Sequence, residues 1–326
     1  MARILVTGGA GYIGSHTAHF LLRLGHEVTV VDDLSKGYRH NVPAGLLKVV
    51  SLHDRAALDA VFAASTFDAV IHFAAFIAVG ESVREPELYF HNNVAGTFNL
   101  LSAMRQAGVR NIVFSSTAAV YGDPDSVPIS ESAPLKPVNP YGESKLMVEK
   151  ALGWMEQCSG LRYIILRYFN ACGADPSAGI GEEHEPETHL IPLVFRAIRT
   201  GAPVTVFGGD YDTPDGTCIR DYIHVSDLAS AHAAGLDHLG RGGASGIFNA
   251  GTGRGYSVKE VIDSVERVTG RKVPFVMGQR REGDPPELVA DSAKLRNQLG
   301  WSPAIAGLDE MIASAWAFDC KAHGAA

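Results

Sequence analysis

Ile4-Leu5-Val6-Thr7-Gly8-Gly9-Ala10-Gly11-Tyr12-Ile13-Gly14 is an apolar run that breaks into glycines and resumes with apolar residues at helical spacing. The first four residues read as a buried strand and Gly8-Gly9 as the turn that ends it. Residues 12–24 read as a helix stopped at Gly25. The glycines fit two spacings, G-x-G-x-x-G (Gly9, Gly11, Gly14) and G-x-x-G-x-x-G (Gly8, Gly11, Gly14). Either permits a tight turn and a close backbone approach to a pyrophosphate, with the unpaired N–H groups of a helix N-terminus facing the anion.

Glycine spacing alone is weak evidence. Here a strand precedes it, a helix follows, and Asp32 closes a second strand, Val28-Thr29-Val30-Val31. That combination is specific for dinucleotide binding. A carboxylate at Asp32, with Asp33 beside it, suits ribose hydroxyls and repels a 2′-phosphate, which favours NAD; Lys36 and Arg39 close behind keep NADP open.

Further strands read at 69–73, 111–114 and 163–167, with helical patterns at about 54–64 and 93–107 between them. Strand–helix alternation with near-continuous apolar strands predicts an α/β fold, a Rossmann-type doubly wound parallel sheet covered on both faces. Residues 173–189, rich in Gly, Pro, Glu and His, read as a long loop, of the kind that is either functional or disordered. The expected division is an NAD-binding domain over 1–169 and a smaller α/β substrate-binding domain over 170–326. Gly246-Ile247-Phe248-Asn249 is the candidate to return to the first sheet.

Composition narrows the partners. The formal net charge of −8 and the lack of a basic stripe argue against nucleic acid. No apolar stretch has the ~18–20 residues needed to span a membrane, and the first residues lack a signal-peptide pattern, so a cytoplasmic location is expected. Cys158, Cys172, Cys218 and Cys320 are scattered, which reads as reduced thiols. The 13 histidines lack a pattern such as H-E-x-x-H, so no metal is expected.

The chemistry-bearing motif is Tyr141-x-x-x-Lys145, four apart on one helix face. An ammonium near the phenol, together with the positive nicotinamide of an oxidised cofactor, is expected to favour phenolate and make Tyr141 a usable base near neutral pH. One βα unit earlier, Phe114-Ser115-Ser116-Thr117 ends a strand. Ligands in such folds sit beyond the carboxyl ends of the strands, so Ser116 and Thr117 are both candidates to hydrogen-bond the reacting oxygen.

Eight stretches, in order, resemble the UDP-galactose 4-epimerase family of the extended short-chain dehydrogenase/reductase superfamily: VTGGAGYIGSHT (6–17), AVGESV (78–83), NNVAGT (92–97), FSSTAAVYG (114–122), NPYGESKLMVE (139–149), LRYFNACGADP (166–176), DGTCIRDYIHVSDLA (215–229) and RREGD (280–284). The resemblance covers nearly the whole chain. It implies C4 inversion between UDP-glucose and UDP-galactose through a transient 4-keto sugar, with NAD unchanged overall. It assigns Tyr141 as base, Lys145 as its partner and nicotinamide-ribose ligand, and Thr117 as the catalytic hydroxyl. Gly8, Gly11, Tyr12, Ile13, Gly14, Asp32, Phe73, Ala74, Asn92, Tyr141, Lys145 and Tyr168 match cofactor-binding positions. Thr117, Tyr141, Asn170, His189, Leu190, Phe207, Arg220, Arg281 and Asp284 match positions that hold UDP and its sugar; guanidinium groups suit a diphosphate. A homodimer built on the helices near 93–107 and 142–157 is implied as well.

Departures from the family pattern carry expectations of their own. Ser51 stands where an Asp often contacts adenine and Ile77 where a Lys often touches the cofactor, which implies fewer contacts and less permanent NAD. His189 stands where Asn is also found. Leu288 stands at the gate for the sugar's 2-substituent and is smaller than the Tyr that can fill it, which keeps UDP-N-acetylhexosamine and UDP-xylose open as alternative substrates. A 4,6-dehydratase would carry Asp-Glu after the Thr, where this chain has Ala118-Ala119. A non-catalytic NAD-binding protein would keep the glycine turn and lose Tyr141 or Lys145.

Overall fold

The structure is a computed structural model describing residues 1–281 and 284–324. Its thirteen strands are β1 (Arg3–Thr7), β2 (Glu27–Asp32), β3 (Leu47–Val49), β4 (Ala69–His72), β5 (Asn111–Thr117), β6 (Arg162–Tyr168), β7 (Asn170–Cys172), β8 (Val204–Phe207), β9 (Ile219–His224), β10 (Gly246–Ala250), β11 (Gly255–Ser257), β12 (Phe275–Gly278) and β13 (Glu287–Leu288). The helices are α1 (Tyr12–Arg23), α2 (Arg55–Ala64), α3 (Val79–Arg84), α4 (Pro86–Tyr89), α5 (Gly96–Gln106), α6 (Pro140–Ser159), α7 (Leu190–Thr200), α8 (Val225–Gly240), α9 (Val258–Thr269), α10 (Ala293–Leu299) and α11 (Leu308–His323).

Seven parallel strands form the main sheet in the order β3-β2-β1-β4-β5-β6-β10. Successive strands run outward from β1 to β3 on one side and from β4 to β6 on the other. The reversal between β1 and β4 opens a crevice at their carboxyl ends, where ligands bind in open α/β sheets. The sheet is covered on both faces, as the apolar runs predicted. One core packs Ile4, Val6, Val30 and Ile71 with Leu228, Leu236 and Leu239 of α8, and the other packs Leu5, Val70, Ile112 and Ile165 with Leu100, Met104 and Leu152. Gly246–Ala250 adds the last strand in register with β6.

The remaining strands make two small sheets, β11-β9-β13 with β7 on β9, and β12-β8. They share a third core with α7, α9 and α11, around Ile191, Phe195, Val265 and Met311. No helix of the described residues is long and apolar enough to cross a membrane.

Two differences from the sequence reading have local causes. The helical pattern at 93–107 divides into a wide π-type turn over Phe90–Ala95 followed by α5. Such turns insert a residue into the helical ladder and shift the face that follows. β3 was not foreseen because two of its three residues are exposed at the sheet edge, which leaves no apolar run to read.

Candidate active site

The crevice begins at the glycines. Gly8 has φ +72°, and a Cβ there would stand 2.4 Å from the Ala74 nitrogen; at Gly14 a Cβ would stand 2.2 Å from the Gly8 carbonyl. The backbone after β1, the start of α1 and the segment after β4 therefore touch with no room for side chains. Phe73 and Ala74 are fixed there by N–H bonds to the Thr7 carbonyl at 2.9 and 3.2 Å. α1 starts with Gly11 as N-cap, with no side-chain cap and no acidic residue in its first turn. Its N–H groups, including those of Ile13 and Gly14, are left to an anion. Asp32 accepts from the Ala10 and Leu34 nitrogens at 2.9 and 2.8 Å. A carboxylate has about four acceptor sites, so two stay available for ribose hydroxyls. Burial pushes this carboxyl up from its ordinary value. The cradle, the uncapped helix and the half-used carboxylate fit a dinucleotide. Tyr12 turns its hydroxyl to the Gly173 carbonyl at 2.6 Å, so the side chain ties the crevice wall to the later half of the chain.

At the carboxyl end of β5 the two hydroxyl candidates separate. Ser116 is fully buried and donates to Glu149 at 2.5 Å, facing the core. Thr117 lies at the strand end, accepts from the Ala119 nitrogen at 3.1 Å and sits close enough to Tyr141 to draw its phenol down. Tyr141 opens α6, whose N-cap Asn139 accepts from Gly142 at 2.9 Å. Tyr168, at the end of β6, bonds the Ser115 hydroxyl, and burial, with Tyr141 nearby, pushes its phenol up.

The protein's own groups set the charge state of the Tyr–Lys pair before any nicotinamide adds its charge. Burial pushes Tyr141 up to about 12, and the Thr117 hydroxyl only partly offsets it. Lys145 is buried, donates to the Ser115 carbonyl at 2.9 Å and lies 5.0 Å over the Phe114 ring. Burial pulls its ammonium down to about 7, against an opposing attraction from Glu149. The protein's own groups thus hold Tyr141 protonated at neutral pH.

A buried network supports this corner. Arg167 on β6 bonds both Glu149 oxygens and, at 3.0 Å, the Tyr121 hydroxyl, which donates to Asn249 of β10 at 2.6 Å. Asn93, in the π-type turn, accepts from the Phe76 nitrogen at 2.8 Å and donates to the Ser144 hydroxyl at 3.0 Å. It locks the crevice wall to the residue preceding Lys145. The neighbouring Asn92 donates to Asn93 at 3.0 Å. Glu149, Arg167 and Asn93 were missed by sequence reasoning; the only available signal was Glu149 four residues beyond Lys145 on the same helix face.

The phosphate-type residues gather elsewhere. Arg220 on β9 pairs with Asp284 and donates to the Pro285 and Ile219 carbonyls at 2.8 and 2.7 Å. The Arg281 guanidinium lies 4.2 Å over Phe207 at the end of β8. Glu282 and Gly283 of the same motif lie outside the described residues. Leu288 on β13 is in register with Arg220, and Asn170 on β7 is in register with Tyr222 two residues on. His189 is the N-cap of α7 and Leu190 its first residue. Ser51 receives the His53 N–H at 3.3 Å, and Ile77 is exposed.

Residues 173–189 lack regular structure apart from an isolated bridge between Asp175 and Ile180. They bring Glu182, His184, Glu187 and His189 together with their ligand-type atoms within 4.8 Å of one another. The spacing 182-184-187-189 lies on a loop, so a search for helical i,i+4 histidines passes over it.

Residues 4–251 match the model of the NAD dependent epimerase/dehydratase family, a span that ends just after β10. The chain is 52% identical over 319 residues to a UDP-glucose 4-epimerase of Halalkalibacterium halodurans, covering 96% of this chain and 94% of that one. Its fold is similar to the crystal structure of UDP-glucose 4-epimerase from Brucella ovis in complex with NAD, with TM-score 0.94, 46% identity and 98% of each chain covered. It is similar as well to the enzyme from Bifidobacterium longum in complex with NAD+ and UDP, with TM-score 0.93, 39% identity and 99% and 100% coverage. A full-length match in sequence, together with a matching sheet and crevice, settles the family: the chain belongs to the NAD dependent epimerase/dehydratase family.

Proposed function

We propose that this protein is an NAD-dependent isomerase that interconverts UDP-glucose and UDP-galactose at C4, with Tyr141 as the acid–base group. The observation that carries the reading is the convergence of Tyr141, Thr117 and Tyr168 at the carboxyl ends of β5 and β6, beside the glycine cradle. Bound NAD supplies a hydride acceptor and a positive ring. Tyr141 takes the C4 hydroxyl proton as the carbon is oxidised to a ketone, and returns it after the sugar has presented its other face. Thr117 holds the oxygen between the two transfers. A Tyr141 held near 12 by burial needs added positive charge to act as a base, so proton transfer is coupled to cofactor occupancy. Lys145, fixed on the Ser115 carbonyl, adds its own positive charge at that corner only when protonated, since burial has pulled it down to about 7. Ala118 and Ala119 carry no acid or base for dehydration.

The roles divide along the fold. Residues 1–169, with α8 and β10 added, bind the cofactor through Gly8, Gly11, Tyr12, Ile13, Gly14, Asp32, Phe73, Ala74, Asn92 and Tyr168. The rest binds UDP through Asn170, His189, Leu190, Phe207, Arg220, Arg281 and Asp284. Anchoring the diphosphate away from the reacting carbon lets the sugar turn while the chemistry stays aligned. We place the enzyme in the cytoplasm as a homodimer. Supporting this, all four cysteines are free, and α5 and α6 expose Phe98, Met147 and a Trp154 that is 67% accessible.

The test is proton NMR of purified protein with UDP-galactose, UDP-N-acetylgalactosamine and UDP-xylose, with and without added NAD. C4-epimer anomeric signals from UDP-galactose are expected, with Tyr141→Phe slowed by about 10²–10⁴-fold. Turnover of the acetylated sugar would assign Leu288 as an open gate. No turnover of any sugar with NAD present would sink the proposal.

A further inference from the structure

We propose that Glu182, His184, Glu187 and His189 bind one divalent cation of the zinc class, which fixes the 173–189 loop across the start of the dinucleotide helix. Two imidazoles and two carboxylates are the donor set zinc takes, and two carboxylates balance its charge.

The separations fall on both sides of those of tetrahedral coordination, so small side-chain shifts would admit a cation. Zinc bonds of about 2.0–2.2 Å place tetrahedral ligand atoms roughly 3.3–3.6 Å apart. The His189 Nδ1 lies 2.9 Å from Glu182 and 3.0 Å from Glu187, and the His184 Nδ1 lies 3.4 Å from Glu182 and 3.7 Å from Glu187. Each ring nitrogen therefore faces both carboxylates. One Nδ1–H can be aimed at a single acceptor, whereas a central cation serves all four atoms. The His184 Nδ1 is buried and neither of its carboxylate contacts has hydrogen-bond geometry. Protonating both rings would balance the charge and still leave that nitrogen without a directed partner.

Four protein ligands close the coordination sphere, which marks a structural site rather than a catalytic one. Its position gives it a purpose. The His184 ring stands edge-on to Tyr12 at 6.2 Å, and Tyr12 bonds the Gly173 carbonyl at the start of the loop. Glu183 reaches His40 at 2.8 Å and Asp175 reaches Arg23 at 2.8 Å, both in the cofactor half. His189 leads directly into α7 of the substrate half. A cation here would add a clamp at the far end of a strap whose other ties to the cofactor half are the Tyr12 hydrogen bond and two ion pairs, the latter individually weak.

The experiment uses the untagged full chain, dialysed against chelator and then metal-free buffer, with zinc alone as the probe. Metal analysis after reloading and gel filtration is expected to return about one zinc per chain, with a raised melting temperature that chelator reverses. His184→Gln and Glu187→Gln should each weaken zinc at least about 10–100-fold in competition with a chromophoric chelator, the range seen even for groups one shell further out. Cobalt(II) added to the wild-type chain should give the intense visible bands of a tetrahedral site, a readout independent of how the variants fold. Zinc held no more tightly by the wild type than by the variants, or an octahedral cobalt spectrum, would overturn the proposal. Failure of the zinc site would leave Tyr141-dependent turnover, read separately by NMR, untouched, so the two proposals fail distinguishably.

Discussion

The cofactor cradle and the arginine cluster proposed to hold UDP are built by different means. The cofactor end is made of backbone: glycines packed within van der Waals contact, an uncapped helix and one carboxylate. The end proposed for UDP is made of side chains, with Arg220, Arg281 and Asp284 drawn from a strand and a loop and braced on carbonyls and a phenyl ring. A backbone site admits almost no substitution, because its shape is the chain itself. A side-chain site can lose one group and keep the others, so it is graded and tunable.

The largest effect that would test this contrast is at Gly14. Replacement by Ala puts a Cβ against the Gly8 carbonyl, and backbone cannot yield as a flexible side chain can. Gly14→Ala is expected to abolish NAD copurification and fluorescence-detected NAD binding; near-normal affinity would break the comparison.

Arg220→Ala should be milder. A charge-assisted hydrogen bond contributes roughly 1.5–3 kcal/mol, so KM for the UDP-sugar should rise about 10–100-fold while NAD affinity stays within twofold. Loss of NAD binding as well would mean that the two ends are one cooperative unit.

The smallest expected effect is on stability in acid, and it falls on the sheet and the helices that cover it. Burial pulls His16 and His232 down to about 4 and His72 to about 3, while His224, at the end of β9, also falls to about 4. Unfolded, each regains an ordinary value near 6.5. The unfolded chain then binds more protons, so stability is present above about pH 6.5 and is lost as pH falls toward 4. Thermal melts should show a falling midpoint across that window. His232→Gln should flatten the slope by roughly one proton's share; an unchanged slope would remove that histidine from the account.

The same contrast explains what was legible in the sequence. Six of the seven main strands were readable because burial on both faces demands unbroken apolar runs, and the glycine turn because its geometry tolerates little else. The Tyr–Lys pair was readable as spacing, and its charge state was not, because desolvation depends on what other segments place around it. Ser116 and Thr117 are adjacent and chemically alike; only the alternation of a strand decides that one faces Glu149 and the other Tyr141. Asn93 sits in a π-type turn whose period hides its face. The Glu–His loop has no period, so its convergence exists only in three dimensions.

β10 pairs with β6 although some eighty residues separate them in sequence. A ribosome releasing this chain therefore delivers the outer strand of the main sheet only after about half of the second part of the chain has been made. Until then β6 offers an unpaired edge, which is a template for unwanted strand addition. The nascent cofactor end must wait with that edge exposed or shielded by a chaperone, and severing the chain near residue 170 would leave it open for good.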